Sequence, residues 1–510
     1  MSLVGKVGRR RPRARLALVF LYGLLIVGAI TTLYPFLVMV STGFKGPTDQ
    51  NDNRLIPAFW TSNEDLYTKY VADKYANKKT AIDATRLGGD EAGAMVEDYR
   101  KFLMRLPNDY WETGFRSDTM QSTSKLNMRY QAWLRNRYPS IEALNRAYVE
   151  ENLAFQTVTP PAELLMRKNW SPLPGKKIED WQIFKSTLPD QYRIPVLESR
   201  MYQEFLRVKF SNQISSVPPD VKGAASSFET IELKKRGPLF EEFVKKSLPK
   251  RYSVNTVESL WAQQSPQPLP IVSDERLYVS QNAGAIRAEF NSRNYKFVLD
   301  YILLNGRALW NTAIFCLLAV LTQLIVNPIA AYALSRYPIA ASGKILMFLL
   351  ATMAFPAEVA MIPSFLLLKN LGLLNTFAAL VLPTAASGYM IFLLKGFFDS
   401  LPQELYESGQ LDGAKEATMM WKIALPLSKP VLGYLALLAF MGAYASFMYA
   451  FLVAQDQRIW TLMVWIYQLQ LSAPKAVIMA ALTLAAIPTL VVFLLAQNVI
   501  MRGIVLPGER

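Results

Sequence analysis

Few residue types in this 510-residue chain could do covalent chemistry. There is no histidine, which removes imidazole bases, most zinc sites and Ser-His-Asp catalysis together. The single cysteine, Cys316, cannot form an internal disulfide. Acidic pairs such as Glu97-Asp98 and Glu179-Asp180 are the raw material of a glycosidase, but charged pairs of this kind read as solvated faces. Three groupings remain. Glu358 stands alone among apolar residues between Pro356 and Pro363. Tyr444, Ser446, Phe447 and Tyr449 bring ring faces and hydroxyls together, which suits stacking on and bonding to a sugar, although aromatic residues also pack cores. The third is DSLPQELYESGQLDGAKEATMMWKIALPLSKP, residues 399–430, where Glu404, Glu407 and Asp412 surround a possible reversal at Gly413. No metal site and no cofactor motif is expected, and the absence of a GxxxxGK loop means that this chain does not itself bind ATP.

The elements that must position these residues are membrane helices. A helix needs about 20 apolar residues to cross the hydrocarbon, where no water satisfies polar groups. Leu16 to Phe44, Ala308 to Ser335, Asn370 to Leu394, Pro430 to Gln455 and Ala476 to Met501 contain no charged side chain, and Ile345 to Leu368 contains only Glu358. The expected fold is therefore all-α and integral to a lipid bilayer, with six transmembrane helices. Inside a span an ionised Glu358 costs at least about 2.5 kcal/mol unless it faces protein or water. It is either a pathway or gate residue beside a broken helix, or a carboxyl bonded to a neighbouring helix.

Orientation follows from short-loop Lys and Arg. With the N-terminus inside, fourteen fall on the cytoplasmic side, from Lys6 to Arg15, in the loops and at the C-terminus, while only Lys369, Arg458 and Lys475 face out. Both termini are expected in the cytoplasm of a bacterial cell, with the protein in its inner membrane. The net charge of +15 then reflects membrane topology and needs no nucleic acid as partner. The first apolar stretch is too long for a signal-peptide core, which favours an uncleaved anchor.

The predicted organisation is a basic tail at 1–15, a first span at 16–44, an extracytoplasmic insert at 45–307 and a five-helix core at 308–510 that carries the 399–430 loop. The insert reads as mainly helical, broken at Pro160-Pro161, Pro218-Pro219 and 265–270. A weak repeat, aromatic-x-x-aromatic-aliphatic, runs through Tyr99/Phe102/Leu103, Tyr130/Trp133/Leu134, Tyr202/Phe205/Leu206 and Phe240/Phe243/Val244. Ordinary amphipathic helices would give the same text. The stretch from Tyr130 to Tyr148 resembles a non-catalytic segment of some beta-galactosidases and carries no catalytic carboxylate.

Segment 399–430 reads as helix, turn, helix, stop. Ser400 with Gln403 fits a capping box, Pro402 a first turn, and Gly413 a reversal at positive φ, with Pro426 and Pro430 ending the second helix. So structured a loop exceeds what joining two spans requires. Its spacing resembles that of ABC importer permeases, whose cytoplasmic loop carries E-A-A, three residues, G, nine residues, I, one residue and L-P. Here the positions are Glu407-Ser408-Gly409, Gly413, Ile423 and Leu425-Pro426. Asp412-Gly413-Ala414, Asn311-Thr312, Ala331 to Arg336, Ile362-Pro363 and Leu371 to Thr376 are similar to the maltose-type carbohydrate subfamily. Two alanines of the pattern are Ser408 and Gly409 here. The resemblance covers the first span and 305–510, not the insert. It implies a pore-forming subunit without enzymatic activity, driven by separate ATP-binding subunits that receive the loop. Glu404, Glu407, Gly409, Asp412, Gly413, Ala414, Ile423, Leu425 and Pro426 would form that coupling site. A second permease subunit and an extracytoplasmic solute-binding protein are the other implied partners. A permease for another small solute and a membrane-anchored carbohydrate receptor are the alternatives.

Overall fold

Proline decides how the apolar stretches fold. In the computed structural model, which describes residues 12–76, 91–116, 124–304, 307–354, 356–471 and 473–503, three stretches become continuous helices long and apolar enough to cross a membrane. These are Pro12–Gly43, Ala308–Arg336 and Lys475–Gly503. Two more are bent pairs: Phe377–Thr384 with Gly388–Asp399, at 50°, and Glu416–Leu427 with Lys429–Ala445, at 81°. By length and composition the count is three, or up to five with each bent pair as one span. The stretch expected as one span over Ile345 to Leu368 is instead two helices, Ser342–Ala351 and Ala357–Asn370, with a 3₁₀ turn and Pro356 between them. Pro356 has ψ of 127°, outside the helical region, and its ring supplies no N–H to bridge the break. The basic residues Lys6 to Arg11 and the tail from Ile504 lie outside the described residues.

The chain forms two compact units, 1–297 with 472–480, and 298–471 with 481–510. The second is organised on the Ala308–Arg336 helix, which packs against Gly388–Asp399 and Lys429–Ala445. Its core contains Ala331, Tyr332, Leu394, Phe398, Tyr406, Ala424 and Leu435. The polar motifs at its ends are joints. Asn311 Nδ2 donates to the carbonyls of Arg458 and Trp460, and Thr312 Oγ1 accepts from Leu462 N at 2.8 Å. Gly372 (φ 67°) and Asn375 (φ 60°) turn the chain before Thr376 caps the next helix. At mid-helix Asn327 accepts from Ser387 N at 2.8 Å, satisfying a donor freed by the 50° bend.

The first unit is mainly helical, with one antiparallel pair of strands, Trp111–Thr113 and Arg193–Pro195. Here the repeated text folds into repeated structure. Gln131, next to Tyr130, donates to the carbonyls of Gln156 and Val158; Gln203, next to Tyr202, donates to those of Glu229 and Ile231. The sequence pattern alone missed a second half of the repeat. Leu106-Pro107-x-x-Tyr110, Leu188-Pro189-x-x-Tyr192 and Leu248-Pro249-x-x-Tyr252 each follow a helix and close a 3₁₀ turn with the tyrosine N–H on the proline carbonyl. The leucine of each copy is buried. Proline fixes the entry to the turn and the leucine anchors it.

Candidate functional site

Segment 399–430 is built as two short helices held back to back. Glu404–Leu411 ends in a Schellman turn: Gly413 N donates to Gln410 O and Ala414 N to Gly409 O, with Gly413 at φ 76°. This backbone suits glycine, and open space surrounds the Gly413 Cα, so the constraint is conformational. The second helix starts at Glu416, passes through a π turn at Met420–Ala424 and reaches Leu427. A Cβ built on Gly409 would lie 3.3 Å from Ile423 Cδ1 and 3.6 Å from Met419. Two positions of the spacing pattern, ten or more residues apart in sequence, therefore pack on each other.

Two local expectations are corrected. Ser400 does not cap the helix: it is itself helical (φ −80°, ψ −9°) and its Oγ donates to Phe397 O of the preceding helix. An N-cap needs an extended backbone and a free side-chain oxygen. Nor does Pro426 end the second helix. The π turn just before it changes the hydrogen-bond register where its missing N–H would fall, and the break comes at buried Ser428. Pro430 lies in the first turn of the next helix, where proline is tolerated.

The inner face of the segment is tied to the unit's core. Tyr406 is buried beneath the Arg336 guanidinium, 3.6 Å from ring centre, and Arg336 also donates to Phe398 O. Tyr332 OH donates to Glu416 Oε2 at 3.0 Å, and Asp399 accepts from Ser335 and Lys395, each at 2.6 Å. The outer face is unsatisfied. Glu404, Glu407 and Asp412 are exposed and have no ion-pair partner among the described residues. Leu411, next to Asp412 in the chain, is 89% exposed, and Trp421 of the second helix is 59% exposed. Sequence reasoning found the acids but missed these two apolar residues, whose signal was large side chains on the polar side of an amphipathic segment.

The residues predicted for a pathway do not form one cluster. Ser446 alone lines a cavity of about 180 Å³, with Gln323, Thr384 and Phe315. Tyr444 and Tyr449 spend their hydroxyls on the carbonyls of Ala485 and Ala379, which makes them helix-to-helix ties. Phe447 stacks on Tyr467 and Phe451. Glu358 is exposed in the first turn of Ala357–Asn370, and no neighbouring helix among the described residues accepts it as a partner. Gln323 was missed, although an amide in the middle of an apolar span is a signal in its own right.

These are the features of a helical membrane protein with an exposed helix–turn–helix segment. The chain belongs to the family of binding-protein-dependent transport system inner membrane components, which its residues 308–505 match. Protein LplC of Bacillus subtilis (strain 168) is 30% identical over 257 residues, covering 45% of this chain and 86% of LplC. The polygalacturonan/rhamnogalacturonan transport system permease protein YtcP of the same strain is 27% identical over 245 residues, covering 45% and 85%. The sn-glycerol-3-phosphate transport system permease protein UgpE of Yersinia enterocolitica is 29% identical over 204 residues, covering 39% and 73%. The family match leaves the 45–307 region outside it.

Proposed function

We propose that this chain is one half of the pore of an ATP-driven, binding-protein-dependent importer for a sugar or oligosaccharide. Its six apolar stretches cross the inner membrane with both termini in the cytoplasm, and the 45–307 insert stands outside. Segment 399–430 sits in a cleft of an ATP-binding subunit, a second permease subunit completes the pore, and a solute-binding protein delivers substrate to the outer face. The observation that carries this reading is the exposed surface of the segment, where Leu411 and the acids Glu404, Glu407 and Asp412, without ion-pair partners among the described residues, flank the Gly413 turn and Trp421 is exposed on the second helix. Its inner face is bolted to the Ala308–Arg336 helix through Tyr332 and Arg336. A partner that moves the segment thereby moves the helix, as a rigid-body switch requires. Glu358, without a partner among the described residues, serves the pathway or the contact with the second permease, since an unpartnered carboxylate in a span must face water or protein.

The sugar assignment draws support from the carbohydrate-type motifs and from the polygalacturonan/rhamnogalacturonan system to which YtcP belongs by name. The glycerol phosphate system of UgpE keeps another small solute as the second reading. Uptake decides between them. Proteoliposomes holding this chain and the proteins encoded beside it should accumulate labelled oligosaccharide only with ATP on the ATPase side. Accumulation of a phosphorylated solute and of no saccharide would overturn the sugar assignment.

A further inference from the structure

The unit that contains the insert holds a groove of about 850 Å³ that pore formation does not use. Its volume is in the range of small-molecule sites, roughly 300–1,000 Å³. Its lining includes the apolar and aromatic residues Tyr75, Met166, Met201 and Phe205, of which Tyr75 and Met201 are buried. Seven Lys or Arg side chains line it against three Glu. Most of the cations are already paired. Lys74 donates to Glu275 at 2.5 Å, Arg116 to Glu163 at 3.3 Å, Arg207 to Glu204 at 2.9 Å and Lys246 to Glu242 at 2.8 Å. Among the described residues Lys168 bonds only the neutral carbonyl of Lys245. The side chains of Arg167 and Arg200 have no hydrogen-bond or ion-pair partner among the described residues.

Unpaired guanidiniums on the wall of a cleft present a planar fork that matches a carboxylate with two parallel hydrogen bonds. The apolar side chains of Met166 and Phe205 in the same lining suit the apolar side of a sugar. We infer that this groove binds an acidic oligosaccharide, with sugar rings against the apolar lining at Met166 and Phe205 and uronate carboxylates on Arg167 and Arg200. The inference rests on the importer reading above, which places the groove on the side that receives substrate, and it narrows the substrate class to carboxylated sugars.

The test is calorimetric titration of the full-length chain in nanodiscs with tetragalacturonate, its fully methyl-esterified form, glucose 6-phosphate and a polyglutamate peptide. The acid form should bind, with an affinity that falls as salt is raised. Esterification should weaken it at least about tenfold, and so should the double variant Arg167→Gln/Arg200→Gln, each lost ion pair removing a charge-assisted bond. Arg236→Gln, an exposed change outside the groove, should leave binding unchanged, and unaltered tryptophan fluorescence will show that the double variant is folded. Equal binding of acid and ester, binding indifferent to the double variant, no binding of tetragalacturonate, or tighter binding of the sugar phosphate or the peptide would overturn the proposal. Uptake without groove binding would strike this inference and leave the importer reading intact. Groove binding without ATP-driven uptake would do the reverse.

Discussion

The guanidinium of Arg336 rests 3.6 Å from the centre of the Tyr406 ring. The last residue of the Ala308–Arg336 helix is thus stacked on the first helix of segment 399–430, and Tyr332, one turn earlier, holds Glu416 of the second. Two contacts on successive turns resist both sliding and rotation. A stacked cation contributes about 0.5–2 kcal/mol, and truncating a buried ring costs roughly 3–5 kcal/mol. Tyr406→Ala should therefore loosen the segment and lower transport per ATP hydrolysed, while Tyr406→Phe keeps the stack and should behave nearly as wild type. Measuring both rates in proteoliposomes separates the outcomes. Equal coupling in the alanine variant would show that the stack transmits nothing.

Gly413 is constrained by backbone and not by space, which makes its substitutions separable. Asparagine tolerates the left-handed region, so Gly413→Asn should keep most activity. A β-branched side chain is strained there, so Gly413→Val should misplace the turn and abolish substrate-stimulated ATP hydrolysis with membrane insertion intact. Similar activity in the two variants would contradict the Schellman geometry as the reason for glycine.

Gly409 behaves differently because Ile423 Cδ1 sits over it. The neighbour is the flexible end of a side chain, and glycine inside a helix is about 0.5–1 kcal/mol worse than alanine. Gly409→Ala should be neutral to mildly stabilising in thermal unfolding, whereas Gly409→Leu should displace Ile423 and Met419 and weaken association with the ATP-binding subunits. A stable, fully associating leucine variant would count against the packing described.

The first unit offers a pH test. Glu163 is buried and accepts from Lys185 Nζ at 2.7 Å and from Trp181 Nε1 at 3.1 Å. Burial pushes its carboxyl up, but Lys185 and Arg116 more than offset this and hold it below the ordinary carboxylate value. A depressed folded value contributes stability above the unfolded pKa, and that stability is lost as pH falls through the folded value. Unfolding followed by tryptophan fluorescence should show an acid-side loss beginning below about pH 4.5. In Glu163→Gln this component should shrink, and the unit should be weaker at neutral pH by roughly 3–5 kcal/mol because Lys185 loses its anion. An unchanged acid limb in the variant would assign the loss to other groups.

Topology is open to labelling. In a Cys316→Ala background, Ala224→Cys should react with an impermeant thiol reagent added outside intact spheroplasts, and Lys415→Cys only after permeabilisation. Identical reactivity at the two sites would refute the six-span arrangement.

How much of this was legible in the sequence depended on whether a residue acts through its own backbone or through distant partners. Gly413 was readable because a helix C-terminus followed by glycine has one common geometry. Glu404, Glu407 and Asp412 were readable as a charged cluster in a loop too long to be a mere connection. The capping role of Ser400 was misread because a neighbouring helix ends on the same residue and claims its hydroxyl. The stretch over Ile345 to Leu368 is broken rather than continuous because hydropathy counts Pro356 as one residue in a window, while the backbone treats it as a stop. Tyr444 and Tyr449 were read from their ring faces and hydroxyls; the carbonyls of Ala485 and Ala379 that those hydroxyls bond come from other helices, which no local pattern reveals. The repeat in the insert was visible in its helices and missed in its Leu-Pro-x-x-Tyr turns, which are short and aperiodic.

The proposed function turns on segment 399–430 coupling ATP hydrolysis on another subunit to transport. It is tested most directly by assembling the complex with residues 407–413 deleted from this chain and measuring ATP hydrolysis with and without substrate-loaded binding protein. Normal membrane insertion is expected, with stimulation by the loaded binding protein abolished. Stimulated hydrolysis at the wild-type rate in the deletion complex would contradict it.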